Sequence, residues 1–296
     1  MKAAIIDIGS NSIRYMAGET KNGRILPGAE KLLYTTRLAA GLDQSGLLSF
    51  ESMEKSIAVL KDLVSHAKET GLPYYAYATS AVRSADNREE FLARVREACS
   101  LHIHVIEGEL EGELARLGAG GDLMDIGGGS AQLSTREKSI SYPAGCVRGR
   151  DLLERKAPSG TPEEQYRTVS EWLERIIGES AIAPEAFPKK NRWAGAGGTI
   201  TTLAALSLGL TAYDRDRVHG TPLTREGVWA LIEKLHAMGG ARKEHPLLTK
   251  RHDVILPGAY ILMYLLGRLK EPALFATDAD GMEGYLLYTA SKEGEA

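Results

Sequence analysis

Two short stretches of this chain repeat one another. Asp7-Ile8-Gly9-Ser10-Asn11-Ser12 and Asp125-Ile126-Gly127-Gly128-Gly129-Ser130 share the pattern Asp-Ile-Gly-x-x-Ser, 118 residues apart. Glycine-rich turns let the backbone approach a ligand closely, and their successive N–H groups form an anion-binding nest. Ser12 and Ser130 add hydroxyl donors. Gly9, Ser10, Asn11 and Ser12, with Gly127, Gly128, Gly129 and Ser130, are therefore expected to bind phosphate. An aspartate beside a phosphate repels it unless a cation intervenes. Asp7 and Asp125 are accordingly expected to hold a divalent metal, with magnesium the expected ion, since it takes one or two carboxylates and completes its shell with water. A third turn, Gly195-Ala196-Gly197-Gly198-Thr199, opens into a helical stretch. Helix N-termini attract anions, which adds Gly197, Gly198 and Thr199 to the candidates. Close packing of that helix on a strand is the plain alternative. The row Glu107, Glu109, Glu111 and Glu113 reads, on local sequence alone, as a solvated helix start.

The elements that position these residues follow from the hydrophobic pattern. Lys2–Asp7 reads as a buried strand with Ile13–Ala17 as its hairpin partner. Ser49 caps a helix with Met53, Ile57, Leu60, Val64 and Ala67 on one face, ended by Gly71. Tyr74–Thr79 and Leu101–Ile106 read as strands. Asn87 and Glu90 have the spacing of a capping box before Phe91, and a helix is expected over about 109–117. Asp122–Ile126 and Gln132–Thr135 then restart the strand pattern. Thr161-Pro162-Glu163-Glu164 is a helix start with a capping residue, a proline at the first position and a glutamate at the third. Arg192–Ala196 reads as a short strand, and Val228, Leu231, Leu235 and Met238 mark a helix after Thr224. Residues 156–162 and 183–191 read as loops, and the tail from Ser291 as frayed. Strands alternating with helices define an α/β class. The repeat points to a duplicated domain with its boundary at Gly118-Ala119-Gly120-Gly121, giving domains 1–118 and 119–296.

Composition limits the partners. With 296 residues, two domains are expected. The net charge of −3 argues against wholesale binding to nucleic acid polymers or anionic membranes. Two cysteines exclude a disulfide framework and fit a reducing, cytoplasmic setting. The uncharged run Trp193–Tyr213 holds too many Gly and Thr residues for a membrane span. It reads as a turn followed by a buried helix. Val254–Gly267 is interrupted by Pro257 and Gly258 and is too short to span. No targeting segment is visible at the start.

Seven segments, in order, carry a family resemblance: DIGSNSIR at 7–14, YATSAVRSADN at 77–87, EGELEGELARLG at 107–118, DIGGGSAQL at 125–133, GAGGTITTLAAL at 195–206, VHGTPLT at 218–224 and RHDVILPGAYIL at 251–262. Together they resemble the exopolyphosphatase / guanosine pentaphosphate phosphatase family across nearly the whole chain, in its short form. The resemblance implies two ribonuclease-H-like domains of the actin, sugar-kinase and Hsp70 type around an interdomain cleft. It implies release of the terminal phosphate of inorganic polyphosphate or the 5′-γ-phosphate of guanosine pentaphosphate. It makes Glu111 the catalytic base that aligns and deprotonates water for in-line attack, and Arg83 a phosphate-binding fork. Gly145-Cys146 matches a further segment near the site, and short-form relatives often form homodimers.

Several residues depart from that pattern. Gln132 stands where relatives carry Glu, which lowers the expected metal affinity. Glu107 and Glu113 add negative charge, and Met282 replaces an Arg. These departures keep two other readings open: a non-catalytic regulator that binds the alarmone or polyphosphate, and an actin-like ATPase or sugar kinase. His102 and His104 share one strand face, for which a solvated face is the ordinary reading and a metal pair the alternative. Cys146 reads as a small buried residue rather than a nucleophile. Arg14, Lys21, Arg37, Arg148 and Arg150 are candidates to line a polyanion path, Arg37 first among them.

Overall fold

The computed structural model describes residues 1–26, 28–187 and 193–294. The chain divides into two units: Met1–Gly118 together with the chain from Gly281 onward, and Ala119–Asp280.

The first unit is built on strands β1 (Lys2–Ile8), β2 (Ser12–Lys21), β3 (Arg24–Ile25), β4 (Glu30–Thr35), β5 (Tyr74–Ala78) and β6 (Ile103–Val105). β1 pairs antiparallel with β2, and β2 with β4. On its other edge β1 pairs parallel with β5, and β5 with β6. The Phe50–Glu69 helix begins as expected: the Ser49 side chain accepts from the Ser52 N–H. Asn87 behaves differently. No capping box forms, because its side chain pairs with the Leu48 backbone instead, accepting at 2.9 Å and donating at 3.0 Å. A long-range amide pair outcompetes the local cap.

The C-terminal boundary is also corrected. Helix Gly281–Lys292 belongs to the first unit, not the second. Met282, Tyr285 and Leu286 pack with Ala3, Ile5, Met16, Tyr77, Ile106 and Leu114 in one core. The sheet face presented by β1, β2 and β5 needs an apolar cover, and this helix supplies it. Met282, the residue that departs from the family arginine, is thereby a buried core side chain. Residues 295 and 296 of the expected frayed tail lie outside the described residues.

The second unit repeats the plan. Its strands are β7 (Leu123–Ile126), β8 (Ala131–Ser134), β9 (Ser139–Tyr142), β10 (Trp193–Ala196), β11 (Pro222–Thr224) and β12 (Ala273–Ala276). β7 pairs antiparallel with β8, β8 with β9, and β7 parallel with β10, which pairs parallel with β12. β11 adds an antiparallel edge. Both sheets therefore share one order: three antiparallel strands, then two parallel ones joined through the first strand. The Thr161 capping box forms in full. The expected start of β10 at Arg192 and the end of the loop before it lie outside the described residues.

One expectation about this unit is overturned. Pro257 and Gly258 do not interrupt the run that contains them. Ile255–Leu269 is a continuous helix, buried on nearly all sides. Pro257 sits in its first turn, where a missing N–H costs no intrahelical bond. No described helix is long and apolar enough to cross a membrane.

Candidate phosphate-binding site

In the first unit, the Gly9–Asn11 turn joins β1 to β2. The Gly9 N–H donates to Ser12 O at 3.1 Å. The turn's carbonyls are occupied by the segment after β4: Ser10 O accepts from Ala39 N, and Asn11 O from Thr36 N and Arg37 N. That segment turns sharply at Arg37, whose φ of 57° lies in the left-handed region. Arg37 is thereby anchored beside the turn through its own backbone. Ser10 and Asn11 are buried, and the Asn11 side chain donates to Ser12 Oγ.

Asp7 ends β1 and lies directly across from Arg14 on β2. The Arg14 guanidinium donates to Asp7 Oδ2 from Nε at 2.9 Å and also from Nη2. Arg14 is thus engaged by Asp7 rather than standing as an isolated surface cation.

Arg83 and Glu111 come from different elements and meet. Arg83 lies on the short helix Ser80–Ser84 that follows β5. Its Nη1 donates to Ile106 O at 2.7 Å and to Glu111 Oε2 at 3.1 Å. Glu111 sits in the first turn of helix Gly108–Ala119, and its N–H donates to Glu107 O. The four glutamates of this row are not equivalent. Glu107, Glu109 and Glu113 are exposed, whereas Glu111 is turned in toward Arg83, its side chain 17% exposed.

In the second unit, the Gly127–Ser130 turn is closed by the same bond as the first, and its carbonyls are likewise capped by a later segment, though at shifted positions. The Gly127 N–H donates to Ser130 O at 3.0 Å. The capping segment is the start of helix Cys146–Lys156: Cys146 N donates to Gly127 O and Val147 N to Gly128 O. Cys146 is buried, and that burial pushes its thiol pKa up despite Arg251 and a hydrogen bond with Thr199, which favour the thiolate. The residue stays a thiol, as a core role requires.

The third turn joins this cluster. β10 runs parallel to β7, with Ala196 opposite Asp125. Gly197 has φ 88°, and a Cβ there would lie 2.3 Å from Asp125 Oδ1. Only glycine serves, both for its backbone angle and for the carboxylate beside it. Helix Gly198–Ser207 begins here, with Thr199 buried in its first turn. A Cβ on Gly198 would lie 2.1 Å from the Arg251 guanidinium carbon. Asp125, both glycine turns and Arg251 therefore occupy one place in the second unit. Arg251 was not singled out from sequence. It opens the RHDVILPGAYIL segment of the family resemblance, but its place over a turn some fifty residues earlier is a tertiary contact that local spacing does not mark.

Other candidates fall outside these clusters. Arg150 is buried and held by Asp151 at 2.6 Å and Asp253 at 3.2 Å. It is a structural ion-pair centre, not part of an open basic path. His102 and His104 are exposed on the β6 edge, where His104 Nδ1 lies 3.2 Å from the Tyr285 hydroxyl. No group of three or more His, Cys, Asp or Glu side chains placed to hold a metal occurs among the described residues. A magnesium ion that keeps its waters and shares substrate phosphates needs only one or two carboxylates. Asp125, set among the glycine-rich turns, fits that requirement. Asp7 fits less well, because Arg14 already balances its charge.

Two sheets that share a five-stranded core order, each with a glycine-rich hairpin turn at the end of its first strand, define a duplicated ribonuclease-H-like α/β protein. The model of the Ppx/GppA phosphatase family matches residues 16–293, and the chain belongs to that family. It is 30% identical to exopolyphosphatase 2 of Mycobacterium tuberculosis, over 98% of each chain. A solved Ppx/GppA family member from Aquifex aeolicus is 29% identical, covers 100% of this chain and 99% of its own, and superposes with a TM-score of 0.77. A solved exopolyphosphatase from Cytophaga hutchinsonii covers 99% and 98% with a TM-score of 0.82, and at 21% identity it bears on the fold alone.

Proposed function

We propose that the chain releases the terminal phosphate of inorganic polyphosphate, and that guanosine pentaphosphate, which presents the same terminal phosphoanhydride, is a second substrate. The observation that carries this reading is the Arg83–Glu111 pair. A guanidinium able to grip phosphate oxygens holds a carboxylate at 3.1 Å, on a helix whose other acidic residues face solvent. Glu111 then takes the proton of the attacking water, while Arg83 both orients it and binds the phosphate oxygens. Each unit offers its own phosphate donors: in the first, the backbone N–H groups of the Gly9–Ser12 turn with the Ser12 hydroxyl, and in the second, those of the Gly127–Ser130 and Gly197–Thr199 turns with the Ser130 hydroxyl. Arg37 and Arg251 supply positive charge beside those turns. Asp125 would hold magnesium, which would supply charge neutralisation for the phosphate. Asp7, already balanced by Arg14, plays the smaller part in holding metal. Most of the rate enhancement in such a site comes from positioning and charge stabilisation rather than covalent chemistry.

Replacing Glu111 by Gln keeps the shape and removes the base. Phosphate release from long-chain polyphosphate with magnesium is expected to fall by about 10²–10⁴-fold, with binding retained. Turnover within threefold of the parent chain would sink the assignment. Running guanosine pentaphosphate in parallel ranks the two substrates.

A further inference from the structure

The two hairpins place equivalent residues opposite their aspartates. On β8 that residue is Gln132, in register with Asp125 on one side and Ser141 of β9 on the other. Asp125, Gln132 and Ser141 thus form a row across three adjacent strands. Gln132 is only 2% exposed. Its Nε2 donates to Ser130 Oγ at 2.7 Å and to Ser141 Oγ at 3.3 Å. A serine hydroxyl has one proton and can also accept. Because Ser130 accepts from the amide, its own proton is left to be donated elsewhere. Ser130 is itself buried and closes the turn.

We propose that Gln132 is a positioning residue that holds the Ser130 hydroxyl as a donor to bound phosphate and, being neutral, leaves Asp125 the one carboxylate in its row. The proposal rests on the phosphate-binding reading of Ser130 given above. A glutamate here, nearly the same in shape, reverses the bond: it accepts the Ser130 proton and places a second negative charge beside Asp125. Gln132 acts through Ser130, so it is not a catalytic residue.

The test is a set of variants assayed for phosphate release from polyphosphate, with thermal melts to confirm folding. Gln132→Glu is expected to raise KM about tenfold, the size of one hydrogen bond to a charged group, while kcat changes less than threefold. It is also expected to lower the magnesium concentration giving half-maximal rate, because it adds a carboxylate. Gln132→Met should raise KM similarly without moving the magnesium midpoint. Ser130→Ala combined with Gln132→Met should be no worse than Ser130→Ala alone, since the second residue works through the first. A merely structural role would not give that coupling. A KM within twofold of the parent in Gln132→Glu, or effects of Ser130 and Gln132 that multiply, would overturn the proposal. Should Gln132→Met fail to fold, the nearly isosteric Gln132→Glu carries the test. Tripolyphosphate binding, measured by titration calorimetry on the same variants, separates the two claims. Turnover with a Gln132-independent KM overturns this proposal alone. Binding weakened by Gln132→Glu without any turnover in the parent overturns the hydrolase reading alone. A parent that neither binds nor hydrolyses overturns both.

Discussion

The two hairpins start from the same six-residue pattern and diverge seven residues after the aspartate. Asp7 faces Arg14, and Asp125 faces Gln132, at matching register positions in matching sheets. In the first hairpin the carboxylate is met by a guanidinium, and the pair is close to neutral. In the second, the residue across the strand carries no charge and spends its donors on two hydroxyls. The first arrangement stabilises the hairpin that carries it. In the second, no charge balances Asp125 from the cross-strand position. On the proposed reading, one duplicated scaffold separates two tasks, bracing in one copy and ligand chemistry in the other, through the difference at a single cross-strand position.

The widest separation between the copies is expected in activity. Asp125→Asn should lower phosphate release by about 10²–10³-fold, comparable to removing one preorganised electrostatic group, with little change in melting temperature. Asp7→Asn should cost much less activity, within about tenfold. Magnesium titrations of both variants check the cause. The Asp125 variant should need far more magnesium, and the Asp7 variant nearly the parent amount. Equal losses in the two variants would erase the distinction between the hairpins.

A narrower effect concerns the third turn. Gly197→Ala places a methyl group against the Asp125 carboxylate at a left-handed backbone position. Activity should fall about tenfold or more through displacement of Asp125, and a crystal structure of the variant would show whether that side chain has moved. An unmoved Asp125 with normal activity would remove the third turn from the site.

How far the sequence alone reached depends on how local each signal is. The repeated turns, the Ser49 and Thr161 caps and the first hairpin are written in neighbouring residues, and they were legible. Three other features were not. The capping of Asn87 is lost to a partner thirty-nine residues away. The helix from Gly281 returns to the first unit because the sheet of that unit needs an apolar cover, which no pattern near residue 281 announces. Pro257 reads as a break only until its place in a first turn is known. The site divides in the same way. The turns were readable as motifs, and Glu111 needed the family pattern to be told from its acidic neighbours. Arg251 and the contrast between Arg14 and Gln132 are consequences of pairing and emerge only in three dimensions.

The smallest effects should run in the opposite order to activity. Arg14→Met removes an ion-pair partner of the Asp7 side chain, which is only 5% exposed. A buried carboxylate stripped of a donor costs about 1–3 kcal/mol, readable as a lower urea midpoint at unchanged slope. Gln132→Met removes a neutral donor from two hydroxyls that can turn toward other partners, so its cost should stay within about 1 kcal/mol. The hairpin that matters less for turnover would then matter more for folding. If the urea midpoints of the two methionine variants fell together, Arg14 would not be bracing its copy any more than Gln132 braces the other. The division of labour would then have to be sought outside the cross-strand pairs.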